Sequence, residues 1–135
     1  MDKTVIKRII EEDPFLKYVG VKVLSLKEGY CKISVGFRKE LTRLGDMMNG
    51  GAIATLADSA GGCAVLTLND RSNQVTVQLD TSFLRTIKTG PVVAEASVTR
   101  KGKVLSFADV KIFDGDKQLC AAAKGIWFVF GDIGR

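Results

Sequence analysis

The sequence contains no histidine at all. That absence removes Ser-His-Asp and Cys-His catalysis, both of which need an imidazole to move protons near neutral pH. Any general base must then be a carboxylate or, as a poorer alternative, a tuned Lys, Cys or Tyr. Cysteines are few: Cys31, Cys63 and Cys120, widely spaced and without a Cys-x-x-Cys pair. An odd set with no histidine builds neither a zinc site nor a disulfide framework, so no metal is expected. Lone cysteines in apolar surroundings pack as small hydrophobes in a reducing compartment. Long hydrophobic runs are also missing, and none approaches the roughly 20 residues that span a bilayer. Met1-Asp2-Lys3 leads into an amphipathic stretch and not an apolar signal core. The expected location is therefore cytoplasmic, without membrane association.

What is present is a chain of 135 residues, 46% hydrophobic and 26% charged, the balance of one folded domain over residues 1–135. The net charge of +5 suits a polyanionic partner. Its Lys and Arg residues are dispersed, and aromatics make up only 7% of the chain, too few for base-stacking platforms. This argues against nucleic acid.

Residues 3–12 predict a short helix, with Val5, Ile6, Ile9 and Ile10 at helical spacing and Pro14 just beyond. Residues 15–19 predict a short packed turn ending at Gly20. Strands follow at 21–26 and 30–37, joined by Lys27-Glu28-Gly29. In the second, Cys31, Ile33, Val35 and Phe37 alternate with Lys32, Ser34 and Gly36. A connector over 38–48 leads to a helix over 49–68. Its apolar stripe is Ile53, Leu56, Ala57, Ala60, Ala64 and Leu68. Gly61-Gly62 interrupts it at a cost near 1 kcal/mol per glycine, so something is expected to press on the backbone there. Beyond a loop at 69–72, strands at 74–85, 92–100, 104–113 and 119–130 read as successive antiparallel hairpins. The class is α+β: an antiparallel sheet wrapped around a central helix.

Helix 49–68 carries the candidate chemistry. Asn49 is a good N-cap, and Gly50-Gly51 leaves the helix's free N–H groups open to a ligand. Asp58 lies two turns on, with Leu56, Ala57, Ala60 and Gly61 suggesting a tightly packed apolar setting. Asn-Gly-Gly is equally an ordinary turn, and a lone helical Asp is commonly a solvated residue or an ion-pair partner. Met47 and Met48, just before the helix, suit either an acyl pocket or plain core packing. Asp114-Gly115-Asp116 is better explained by a turn than by calcium.

The segment Asn49-Gly50-Gly51-Ala52-Ile53-Ala54-Thr55-Leu56-Ala57-Asp58 resembles the His-Gly-Gly-x-x-x-x-Leu-x-Asp segment of hotdog-fold thioesterases of the phenylacetate-degradation type. The order of elements, Phe83-Leu84-Arg85 and Arg100-Lys101-Gly102-Lys103 are similar too. The resemblance implies a hotdog fold and hydrolysis of an acyl-CoA. In it, the Gly51 N–H polarises the thioester carbonyl, and Asp58 acts as general base or nucleophile. Asn49 takes part in the site, and Gly50 and Met48 line the substrate. Arg85, Lys88, Arg100, Lys101 and Lys103 face the phosphates of coenzyme A, which is part of the substrate and not a cofactor. It also implies a homodimer or homotetramer in which Asp58 comes from the opposite protomer. Two positions depart from the pattern: Asn49 replaces the histidine, and Arg43 replaces an asparagine six residues earlier. The alternative is a non-catalytic acyl-CoA-binding or sensing protein on the same fold.

Overall fold

The computed structural model describes residues 1–69, 71 and 73–131. The expected loop at 69–72 lies partly outside the described residues, since Asp70 and Ser72 are not among them. The chain opens with α1 (Lys3–Glu12), capped by the Asp2 carboxylate at 2.6 Å from the Thr4 N–H. Ile6 and Ile10 are its buried face. The expected packed turn is a second helix, α2 (Pro14–Val19), ended by Gly20 at φ 90°. It is less packed than expected. Val19 is buried, whereas Phe15 and Tyr18 are 58% and 70% exposed, because a single turn and a half buries only one side.

Strands β1 (Lys22–Lys27) and β2 (Tyr30–Val35) form the expected hairpin. The 38–48 connector is more ordered than anticipated. It holds a 3-10 turn at Lys39–Leu41 and a two-residue ladder between β3 (Thr42–Arg43) and β4 (Met47–Met48). The central helix α3 (Gly50–Leu66) follows, then β5 (Asn73–Phe83), β6 (Val92–Lys101), β7 (Leu105–Phe113) and β8 (Leu119–Phe130).

The sheet order is β1-β2-β6-β7-β8-β5, antiparallel throughout. This corrects the expectation of successive hairpins at one junction. β5 does not pair with β6 but crosses to the far side of β8. One edge of β6 is already paired to β2, Cys31 standing opposite Ala96 and Ile33 opposite Ala94, and the other to β7, so β5 cannot pair with β6 and instead takes the free edge of β8. β5 therefore closes the sheet on one side with an unpaired edge of its own.

The sheet wraps α3 with rows of matched small and large side chains. One row reads Ile33, Ala94, Ile112, Ala121 across β2, β6, β7 and β8, all buried. Alanines in the row let the helix approach while the branched residues between them fill the sides. The glycine pair has the reason anticipated for it. A Cβ on Gly61 would lie 2.2 Å from the indole of Trp127, and one on Gly62 3.2 Å from it. The buried Trp127 ring lies flush on the helix backbone. Cys31 and Cys63 meet in the core, where their mutual contact and burial push the Cys31 thiol up and keep it neutral.

Replacement of Gly61 by Ala gains about 1 kcal/mol of helix propensity. It also places a methyl inside the Trp127 ring, and overpacking of this kind costs typically about 1–3 kcal/mol. Because the overlap involves a rigid ring, the clash is expected to win. Urea denaturation should show Gly61→Ala less stable than the parent by about 1–2 kcal/mol. An equal or raised midpoint would show that Trp127 can move.

Candidate active site

The amino end of α3 is built as the sequence suggested. Asn49 has extended backbone, φ −62° and ψ 136°, and its side-chain oxygen accepts the Gly51 N–H at 2.7 Å. The N–H of Asn49 itself donates to the Leu41 carbonyl at 2.8 Å, and that of Met48 to the Ile87 carbonyl at 2.8 Å. The β3–β4 ladder is thus stitched both to the 3-10 turn before it and to the segment after β5. The Gly50 N–H has no hydrogen-bond partner among the described residues. Donor groups at a helix amino end carry the positive end of the peptide dipoles.

A cavity of about 340 Å³ opens beside this end. Gly50, Met47, Met48, Ile53 and Phe83 line it, together with Arg43 and Arg85. Met48 is buried and serves both as core and as cavity wall.

Asp58 lies elsewhere on the same helix. Seven residues from Gly51, it is displaced about 10 Å along the axis. Its carboxylate accepts a hydrogen bond from the Thr76 hydroxyl at 2.6 Å. A second cavity of about 330 Å³ surrounds it, walled by Phe15, Leu16, Gln74, Val75 and Trp127. The tight apolar setting expected for Asp58 is not what the fold supplies. Leu56, Ala57, Ala60 and Gly61 are buried against the sheet, whereas Asp58 faces the open cavity, half-buried. Leu56, Ala57 and Ala60, at i−2, i−1 and i+2, face other sides of the helix, so their burial says little about Asp58, and Gly61 at i+3 has no side chain to cover it.

Thr76, Phe15 and Leu16 were not anticipated as site residues. Nothing local marks them, since their role comes from α2 and β5 being folded back over α3. Thr81, also on β5 between Thr76 and Phe83, has a buried hydroxyl without a partner among the described residues.

The expected basic residues fall into two groups. Arg85 and Lys88 follow β5, Arg85 beside the amino end of α3 and Lys88 three residues on. Arg100 and Lys101 end β6, and Lys103 follows in the turn closed by the Gly102 N–H on the Leu105 carbonyl at 2.8 Å. Val92 to Arg100 spans eight strand residues, about 26 Å, so one protomer cannot bring the two groups onto one ligand end. Asp114-Gly115-Asp116 is a turn, as read. One Asp114 carboxylate oxygen accepts the N–H groups of Gln118 and Asp116, each at 3.0 Å, which with Arg85 nearby holds its pKa below the usual value. Among the described residues no helix is long and apolar enough to cross a membrane.

The family model of the thioesterase superfamily matches residues 45–121, more than half of the chain and the whole of the helix that both cavities share. The chain belongs to the thioesterase superfamily. A Thermoplasma acidophilum protein named "putative esterase" is 40% identical over 125 residues, covering 93% of this chain and 95% of its own. Among solved structures, a mutant of the phenylacetic acid degradation protein PaaI from Thermus thermophilus aligns with a TM-score of 0.80. It is 26% identical and covers 87% of this chain and 100% of its own. The E. coli PaaI protein from the phenylacetic acid degradation operon, at 24% identity, shares the fold, with a TM-score of 0.83 over 90% of this chain and 87% of its own. The architecture is thus the hotdog fold of this superfamily, and membership supports hydrolase chemistry in general.

Loss of the Asn49 cap should be measurable without any substrate. Asn49→Ala leaves the Gly51 N–H without its side-chain acceptor, and N-cap truncations cost about 1 kcal/mol. Denaturation curves should show that loss with the slope unchanged. A stability equal to the parent would mean that the cap contributes nothing.

Proposed function

We propose that the chain is an acyl-CoA thioesterase whose active site forms between two copies, Asp58 of one acting at the α3 amino end of the other. The observation that carries this reading is the unpaired edge of β5. The strand runs antiparallel to α3, with Thr76 beside Asp58 at one end and Phe83 beside Gly50 at the other. It leaves large apolar side chains uncovered, Val75, Val77 and Phe83, with Leu84 just beyond it, each more than half exposed. A long apolar edge strand of this kind calls for a partner strand. An antiparallel ladder between two β5 strands, centred near Leu79 and Asp80, sets Thr76 of each copy opposite Phe83 of the other. The same two-fold carries the Asp58 cavity of one chain to the Gly50 cavity of its mate.

Within such a dimer the basic groups also converge. Lys101 lies in a cross-strand row with Ser106, Trp127 and Thr76, so it stands on the Asp58 side of its own sheet. Arg100, Lys101 and Lys103 of one copy then join Lys88 of the other around the pyrophosphate and 3′-phosphate of coenzyme A, while Arg85 stays with the cavity at the α3 amino end. A homodimer is the smallest competent unit, and a tetramer would pair two of them.

The chemistry needs no histidine. The Gly51 N–H, released by the Asn49 side chain as substrate enters, donates to the thioester carbonyl oxygen, where charge develops. Asp58 takes a proton from water, whose oxygen bonds to the acyl carbon. The carbon–sulfur bond then breaks, and the thiol receives that proton. Alternatively the carboxylate attacks first and water opens the resulting anhydride. A thiol with a pKa near ~8.5 leaves far more readily as its anion than an alcohol does. The general acid that an ester would need is therefore dispensable.

The Asn49–Gly51 hydrogen bond favours a second reading, in which acyl-CoA binds without turnover because the key donor stays engaged. Calorimetry showing tight acyl-CoA binding with no released thiol would establish it.

The composite site is tested by complementation. Asp58→Ala removes the base. Gly50→Pro fills the approach to the helix end while keeping the helix, since proline suits the first helical position and Asn49 is already extended. Each variant alone is expected to be inactive toward a panel of acyl-CoAs. Mixed dimers keep one intact site, so an equal mixture should recover about a quarter of parent activity. No recovery in co-expressed, verified mixed dimers would sink the shared site, as would a clean monomer in light scattering.

A further inference from the structure

The cavity at the amino end of α3 has a composition that a neutral acyl chain does not match. Met47, Met48, Ile53, Phe83 and Ile87 form apolar walls, yet two cationic residues, Arg43 and Arg85, both exposed, line the same space. No carboxylate is among the described residues lining it, and neither arginine forms an ion pair among the described residues. The one hydrogen bond of the Arg43 side chain among the described residues is a weak one to the Met47 sulfur at 3.6 Å. Arg85 lies near Asp114, which stands outside the cavity.

Arg43 is held in place by the fold and not by a counter-charge. It ends β3, its ladder partner is Met47, and the following Met48 and Asn49 are tied by their N–H groups to Ile87 and Leu41. The turn between, Leu44-Gly45-Asp46, has positive φ at Gly45 and Asp46, which folds the chain back sharply. Arg43 therefore borders the same cavity as Gly50, at the helix end that already favours negative charge. Both arginines are exposed, and a purely apolar chain in this space would offer neither cation a partner. A chain ending in a carboxylate would fill the apolar walls and satisfy both forks.

We infer that this cavity selects acyl groups that carry a terminal carboxylate, with Arg43 as the specificity-determining residue and Arg85 as its support. The substrate class is then the monothioesters of short dicarboxylic acids, since about 340 Å³ lies at the small end of ligand pockets. The inference rests on the acyl-CoA reading and adds the charge of the acyl group to it.

The test uses two non-hydrolysable coenzyme A thioethers of equal chain length, one ending in a carboxylate and one in a methyl group. Binding to the parent, Arg43→Gln and Arg43→Lys is followed by calorimetry, and hydrolysis of glutaryl-CoA and hexanoyl-CoA is measured in parallel. The parent is expected to prefer the carboxylate thioether by about tenfold, the usual scale of one charge-assisted contact, and Arg43→Gln should erase that ratio. Arg43→Lys should keep part of it, because the charge remains while the fork is lost. Equal binding of both thioethers by the parent overturns the inference. So does a preference that survives Arg43→Gln. Equal weakening of both thioethers by Arg43→Gln would place the guanidinium on the coenzyme phosphates, which also overturns it. Asp58-dependent hydrolysis with no charge preference would remove this inference alone, whereas failure of both thioethers to bind the parent would remove the acyl-CoA reading as well.

Discussion

The position of α3 on the sheet depends on one contact, the face of Trp127 against the bare backbone of Gly61 and Gly62. The indole is almost completely buried, and Gly125 beside it on β8 leaves room for the same ring, since a Cβ there would lie 2.3 Å from it. Glycines on two elements therefore shape one slot for one side chain. That slot sets how close helix and sheet come, and with it the reach of everything carried on α3. Further along, Ala94, Ala96, Ala108, Ala121 and Ala123 keep the same separation under the rest of the helix.

With the helix seated, its two candidate site positions point to different neighbours. Gly50 faces Phe83 at one end of β5, and Asp58 meets Thr76 toward the other. The interval between Gly51 and Asp58 is a property of the helix, about 10 Å for seven residues, and no side-chain rotation closes it. The strand that flanks both is the one left with a free edge. In the proposed dimer, the site shared between two chains and the edge left open by the sheet are two views of the same boundary. Asn49 ties the arrangement to stability, because the oxygen that caps the helix holds a donor the proposed reaction requires. A histidine at that place could cap and titrate, while an amide can only cap.

Charge is distributed by the same geometry. On the outer face of the sheet Lys32, Glu95 and Lys111 stand side by side across β2, β6 and β7, with Lys32 and Glu95 3.7 Å apart, and Asp109, Lys124 and Asp80 alternate in the next row. Positive and negative groups cancel there. The excess of positive charge is left to the strand ends and the α3 amino end, where Arg43, Arg85, Lys88, Lys101 and Lys103 lie. Surface pairs of this kind add little stability, but their local neutrality concentrates the field at the ends.

Local sequence determined much of this protein, because the relevant signals are short-range. Spacing of Val5, Ile6, Ile9 and Ile10 gave α1 its bounds, and strict alternation from Cys31 to Val35 gave β2 its buried face. Asn49 before two glycines announced a helix start, and Gly61-Gly62 announced a close neighbour without saying which. The candidate site around Asp58 rests on resemblance, not on periodicity. Only the tertiary structure decided that β5 joins β8, that Trp127 is what rests on the glycines, and that Thr76 holds the Asp58 carboxylate. It also decided that Arg43 and Arg85, far apart in sequence, line one cavity. These are contacts between elements, and they follow from sheet order and from which edge remains unpaired. Strand pattern is nearly silent on both, because the strands bury one face against the same helix whatever their order.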